Sequence, residues 1–221
     1  MQMLPRQFTA HQQQQILDWE ASSRWRQLPA AKIFPAAVEY PPPLAISGDG
    51  LSLGATRVGI ARQASCTAAT DATVAAVLTR NGCQAVLRAT YVDRTDSFVV
   101  TVGVAAFPGT AQAVAASLAL GGHALTGAHG APLGVRTVEF TNTPAGSFTN
   151  TRRQISGQQR AATYVIFYAI GYADARPFEP VASDSYVYNE MNSLGAGVTQ
   201  AVEAKLAAPL KQPHCPGTVG C

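Results

Sequence analysis

Residues 84–120 carry the clearest alternation of apolar and polar positions in the chain. In Gln84–Val92, Ala85, Leu87, Ala89 and Tyr91 point one way, and Val86, Arg88, Thr90 and Val92 the other. In Ser97–Ala106, Phe98, Val100, Val102 and Val104 share one face. Asp93-Arg94-Thr95-Asp96 joins the two runs with turn-forming residues at both ends, so an antiparallel hairpin is predicted. After Pro108-Gly109 the pattern predicts a helix from Thr110, read as its cap, to about Leu120, where Gly121-Gly122 stops it. Its small residues let it sit close on a sheet.

The flanking regions follow the same logic. Thr9 caps a helix through Gln27, whose polar Gln12–Gln15 run suits a solvated stalk. Prolines at 29, 35 and 41–43 then favour extended chain, with Ile33, Phe34, Val38 and Tyr40 as anchors on the domain. Ser47–Gly50 reads as a turn, and Leu51–Ala61 as a strand or extended loop. Thr70 or Asp71 opens a helix to about Arg80, with Val74, Val77 and Leu78 on one face and Asn81-Gly82 at its end. Strand signals resume at Val135–Thr141, a turn follows at Thr143–Gly146, and Phe148–Ser156 is expected beside the next strand. Ala161–Ala173 is the most apolar run and predicts a central strand. There Tyr164, Ile166, Tyr168, Ile170 and Tyr172 share one face, Val165, Phe167 and Ala169 the other, and both are apolar enough to be covered. Ser185–Leu210 predicts a helix, capped near Ser183 or Asp184, with Met191, Leu194, Val198, Val202 and Leu206 inward.

These elements assemble into an α+β fold. The expected form is an antiparallel sheet of four to six strands with helices packed on one face, a two-layer sandwich. Residues 46–221 form one domain, and residues 1–45 form an arm of helix and Pro-rich chain outside it. Two hairpin-then-helix units, at about 84–120 and 148–208, contain similar strings, Arg88–Val92 and Arg160–Val165. The pair is compatible with an internal duplication, and equally with β-propensity alone.

Composition changes the picture in two ways. Charged residues make up 13% of the chain, against roughly 25% in an average soluble domain. The net charge of +3 comes from scattered basic residues, which gives no nucleic-acid footprint. Four cysteines, at 66, 83, 215 and 221, form no CxxC motif, which argues against a zinc site or a thioredoxin-like centre. An even count fits a disulfide-bearing exported protein. Of three connectivities, spacing favours Cys66–Cys83 and Cys215–Cys221. The first would bracket the 70–80 helix and is worth ~3 kcal/mol on the loop-entropy model. No run approaches the ~20 apolar residues of a membrane span. The start, MQMLPRQFTAHQQQQ, lacks a signal-peptide pattern, so with disulfides an export signal or anchor is expected upstream of Met1.

Candidate chemistry is sparse. His123 and His129 lie in a Gly-rich loop with no Asp, Glu or Cys, which is a poor metal-ligand set. No GxSxG, S-x-x-K, P-loop or GxGxxG is present, so no nucleotide or other cofactor is expected. Asp93 and Asp96 flank a turn and are explained by it. His214-Cys215 resembles a catalytic pair only in composition. Tyr164, Tyr168 and Tyr172 could line a groove, with core packing favoured.

The string from Trp25 to Tyr40, the Cys66/Cys83 pair and LRATYVDRTDSFVVTVGVAAFP resemble uncharacterised membrane-anchored extracytoplasmic proteins of actinobacteria. The resemblance covers about residues 20–120 and brings no catalytic residues. It implies a single membrane span ahead of the domain. A helix-on-sheet domain with disulfides is also similar in architecture to extracellular sensor domains of bacterial receptor kinases. The reading that follows is a non-enzymatic extracytoplasmic module binding a protein partner or a cell-envelope ligand. The alternatives are a hydrolase with a dispersed site, involving His123, His129 and Arg88, and a carrier of an apolar molecule beneath the sheet-helix layer.

Overall fold

A computed structural model describes residues 9–43, 52–121 and 125–207. The expected turn at Ser47–Gly50, His123, His214 and the Cys215–Cys221 pairing lie outside the described residues. Helix α1 (Ala10–Gln27) starts in a reciprocal capping box. The Thr9 hydroxyl accepts from the Gln12 amide at 3.3 Å, and the Gln12 side chain accepts from the Thr9 amide at 3.0 Å. Pro29 and Pro35 confine the chain to one helical turn, α2 (Ala30–Ile33), before β1 (Ala37–Tyr40). Strand β2 (Leu53–Ile60), the short helix α3 (Cys66–Ala69), α4 (Ala72–Arg80) and the β3 (Ala85–Asp93) and β4 (Phe98–Ala106) hairpin follow. Helix α5 (Thr110–Ala119), a two-residue ladder of β5 (Leu125–Thr126) and β6 (Pro132–Leu133), the β7 (Ile155–Ala161) and β8 (Tyr164–Tyr172) hairpin and α6 (Tyr186–Ala207) complete the order.

The fold is α+β, with a six-stranded antiparallel sheet in the order β1-β2-β3-β4-β8-β7. The second strands of the two hairpins lie side by side, from Phe98 opposite Tyr172 to Ala106 opposite Tyr164. The alternation along the strands sorts residues onto faces as expected. One face gathers Leu87, Tyr91, Val100, Val102, Val104, Tyr164, Ile166 and Ile170 beneath Met191, Leu194, Val198 and Val202 of α6. Two glycines let α6 come this close. A Cβ on Gly195 would lie 2.7 Å from the Tyr168 ring, and one on Gly197 would lie 2.3 Å from Tyr40 Cβ.

The segment read as an arm shares that core. Trp25, Ile33, Phe34, Val38 and Tyr40 are buried in it, and β1 forms an edge of the sheet. Arg24 donates to the Leu206 carbonyl at 2.5 Å, and the Tyr164 hydroxyl donates to the Ala21 carbonyl, which ties α1 to α6 and β8. The opposite face holds a second core of Val86, Ala105, Phe107, Val165, Phe167 and Ala169, covered by Val74 and Leu78 of α4 and Ala113 and Ala116 of α5. Helices α3–α5 therefore add a layer on the side away from α6.

Four local expectations are corrected. Val135–Thr141 is no strand. The edges of β3 and β4 are already paired, so the segment crosses the face as a strap instead of joining the sheet. Only Val135 makes a ladder contact, an isolated bridge to Thr70. Gly109, not Thr110, stands at the N-cap of α5, without a side-chain cap bond, because the helical backbone already begins at Thr110. Phe148–Ser156 holds a 3₁₀ turn at Asn150–Arg152, and pairing starts at Ile155. The first turn of α6 is capped by Ser185, whose hydroxyl accepts from the Tyr188 amide at 3.1 Å. The similar strings also occupy different places: Arg88–Val92 lies within β3, whereas Arg160–Val165 spans the β7–β8 turn.

Candidate functional site

The strap is held by side chains from the polar positions of β3 and β4. Arg88 Nη1 donates to the Arg136 carbonyl at 3.1 Å. Thr90 and Thr101 sit 2.9 Å apart, Thr90 reaches the Val138 carbonyl at 2.9 Å, and Thr101 receives the Val138 amide at 3.2 Å. Only one proton arrangement serves all three: Thr101 donates to Thr90, and Thr90 donates to Val138. The Arg136 amide donates to the Ala69 carbonyl at 2.8 Å, which ties the strap to α3.

Beneath the strap's start lies an ion pair with a buried arginine and a partly buried aspartate. Asp71 precedes α4 at its N-cap but does not cap it. Its carboxylate instead accepts from Arg153 Nη1 at 2.7 Å and from the Gly134 amide at 2.9 Å. The Arg153 side chain is 5% exposed and also donates to the Asn150 and Val135 carbonyls.

Outside this framework α4 and Arg136 enclose an open groove of about 440 Å³. Thr67, Ala72, Ala75, Ala76 and Thr79 form its floor, with Arg80 and Arg136 beside it. The inward side of α4 is spent on Val74 and Leu78, so the methyls of Ala72, Ala76 and Thr79 face out. The Cys66–Cys83 disulfide, Cα to Cα 6.4 Å, ties the start of α3 to the residue two before β3 and encloses both helices of the wall. Neither Arg80 nor Arg136 has an ion-pair partner among the described residues. Half-buried Arg88 lies behind them. Burial first, and then the Arg136 charge, lowers its pKa. Its Nε has no hydrogen-bond partner among the described residues.

Two further depressions flank the β3–β4 turn. One of about 360 Å³ is lined by Asp96, Ser97, Phe98, Tyr172, Asp174 and Arg176. There the Arg176 guanidinium caps the Tyr172 ring at 4.0 Å and pairs with Asp174. The other, of about 170 Å³, holds Tyr40, Asp93 and Glu190. Burial first, then the Asp93 charge, raises the Glu190 carboxyl, and a hydrogen bond from Tyr186 partly offsets this. Asp93 is occupied by the turn, accepting from the amides of Thr95, Ser97 and Phe98 at 3.0, 2.8 and 2.6 Å.

The residues singled out from the sequence are spread over the molecule. Cys66 and Cys83 are bonded. His129 is exposed in a 3₁₀ turn with φ 56°. Tyr164, Tyr168 and Tyr172 line the α6 face, the side opposite Arg88. Tyr164 is fully buried, and Tyr168 donates to Asn192 at 3.1 Å. Among the described residues no three of His, Cys, Asp and Glu converge to hold a metal ion, and no helix is long and apolar enough to cross a membrane. Arg80, Arg136 and Glu190 carried no signal in the sequence. Arg80 figures there only as the approximate end of a helix, and only the strap brings Arg136 to it. No family model, curated protein or solved structure matches the chain.

Proposed function

We propose that the chain is a non-enzymatic extracytoplasmic module that binds a component of the cell envelope at the groove between α4 and Arg136. The observation that carries this reading is the placement of the Cys66–Cys83 bridge. It encloses both helices of the groove wall and is compatible with an oxidising compartment. A groove used for recognition gains from a fixed wall, because less ordering is required when a ligand arrives. Polar groups of the kinds used in catalysis have structural partners: Asp93 in its turn, Asp71 with Arg153, and Arg88 through the Arg136 carbonyl.

The test is rapid alkylation of thiols in intact cells, followed by mass analysis of the native protein. The expected result is Cys66 and Cys83 protected until reduction. Both residues alkylated without reduction would overturn the extracytoplasmic assignment. Binding is tested by titrating the oxidised chain with solubilised envelope fractions while its amide spectrum is followed. Shifts clustered at residues 67–80 and 136 are expected, and a spectrum that no fraction perturbs would overturn the binding role.

A further inference from the structure

We infer that this groove takes an anionic amphiphile, a small molecule whose apolar body lies on the outward methyls of Ala72, Ala76 and Thr79 and whose carboxylate or phosphate is held by Arg80 and Arg136. The inference rests on the binding reading above and specifies its ligand.

Three observations converge on it. The floor is almost wholly methyl: α4 satisfies its own backbone, and Ala72, Ala76 and Thr79 offer carbon to whatever lies on them. Such a floor rewards an apolar body and offers a polar one only the hydroxyls of Thr67 and Thr79. The flanking charge is uncompensated. Arg80 and Arg136 have no ion-pair partner among the described residues, and Arg88 adds a third guanidinium behind Arg136. The carboxylate nearest Arg80 in sequence, Asp71 at the start of α4, is already taken by Arg153 and the Gly134 amide, and exposed Glu139, three residues beyond Arg136, makes no ion pair with it. A guanidinium presents a planar fork that matches a carboxylate or a phosphate with two parallel bonds.

Size then selects the kind of partner. About 440 Å³ lies in the ~300–1,000 Å³ range of small-molecule sites. Seven residues line the groove, whereas a standard protein interface needs about 20–30 on each side. A small amphiphile therefore fits better than a folded partner.

The experiment titrates the full oxidised chain with dodecyl phosphate and with dodecanoate, each kept monomeric, while amide shifts are recorded. Dodecanol and inorganic phosphate are the matched probes without a charge and without a tail. Saturable shifts at residues 67–80 and 136 are expected with either anionic amphiphile, and their relative affinity identifies the head group. Arg80→Gln with Arg136→Gln should weaken binding by about tenfold or more, the loss expected for charge-assisted bonds. Ala76→Trp, at an exposed helix position, should block the groove with the rest of the spectrum unchanged. Equal affinity for dodecanol, equal affinity for inorganic phosphate, or binding unaffected by the paired arginine variant would overturn the inference. Shifts with an envelope fraction that fall elsewhere on the surface would overturn both this inference and the groove as the binding site, and leave only the broader role of binding an envelope component. Free Cys66 and Cys83 thiols in cells would overturn the compartment and leave the groove's ligand to be decided by the titration.

Discussion

The two faces of the sheet are built on different principles. The α6 face is held by interdigitated apolar side chains, with two glycines that let the helix sit down on Tyr40 and Tyr168. The other face has a smaller apolar core, and beside it a strap and a helical wall held by an ion pair, a disulfide and side-chain-to-backbone hydrogen bonds. Apolar packing is non-directional and tolerant, whereas hydrogen bonds and ion pairs demand position. The α6 face thus serves as foundation. The strap face holds a few charged groups in fixed places, and this is where an open groove is found beside guanidiniums that have no ion-pair partner among the described residues.

Substitutions on the two faces should fail in different ways. The largest effect is expected from Asp71→Asn, which leaves the Arg153 charge buried without its partner. A loss of about 3–5 kcal/mol is expected in denaturant unfolding. Leu194→Ala on α6 should come next, at about 2–5 kcal/mol, because a fully buried side chain leaves a cavity in the α6 core. The two sites separate the mechanisms: Asp71→Met, which also leaves the Arg153 charge unpaired, should be no more stable than Asp71→Asn, whereas Leu194→Met should lose much less than Leu194→Ala.

Thr101→Val is a smaller break. It leaves the Val138 amide and the Thr90 hydroxyl short of a partner and should cost about 1–3 kcal/mol, with faster hydrogen exchange confined to the strap. Glu190→Gln is the smallest. The folded state holds the Glu190 proton to higher pH than the unfolded chain does. Stability is therefore full at acid pH and falls as pH rises from the ordinary carboxylate range through the raised value. The variant should be slightly more stable than the parent near neutral pH and equal to it at acid pH, as read from melting temperatures across that range. A parallel profile for the two proteins would contradict this assignment.

This division also explains what could be read from the sequence. Period-two alternation placed Val100, Val102, Tyr164 and Ile166 on one face because burial acts on every second residue of a strand. The Cys66–Cys83 pairing was legible from spacing, because the two cysteines enclose a short segment. Val135–Thr141 misled because its apolar and β-branched residues satisfy the same pattern while crossing strands whose edges were already taken. Asp71 was one of two residues read at a helix start, with Thr70, and it stands at the N-cap, but its partner lies 82 positions away, beyond any local pattern. The groove was invisible for the same reason: Arg80 and Arg136 meet only because Arg136 is tied to Ala69 and Arg88.

The central claim is that the groove wall is a separately braced layer, and that the core on the α6 side of the sheet does not depend on it. Native-state hydrogen exchange of the full chain, with and without reduction of Cys66–Cys83, tests this directly. The account predicts that reduction speeds exchange at residues 66–80 and 134–138, while β3, β4, β8 and α6 keep their protection. A uniform loss of protection, or none in the wall, would contradict it.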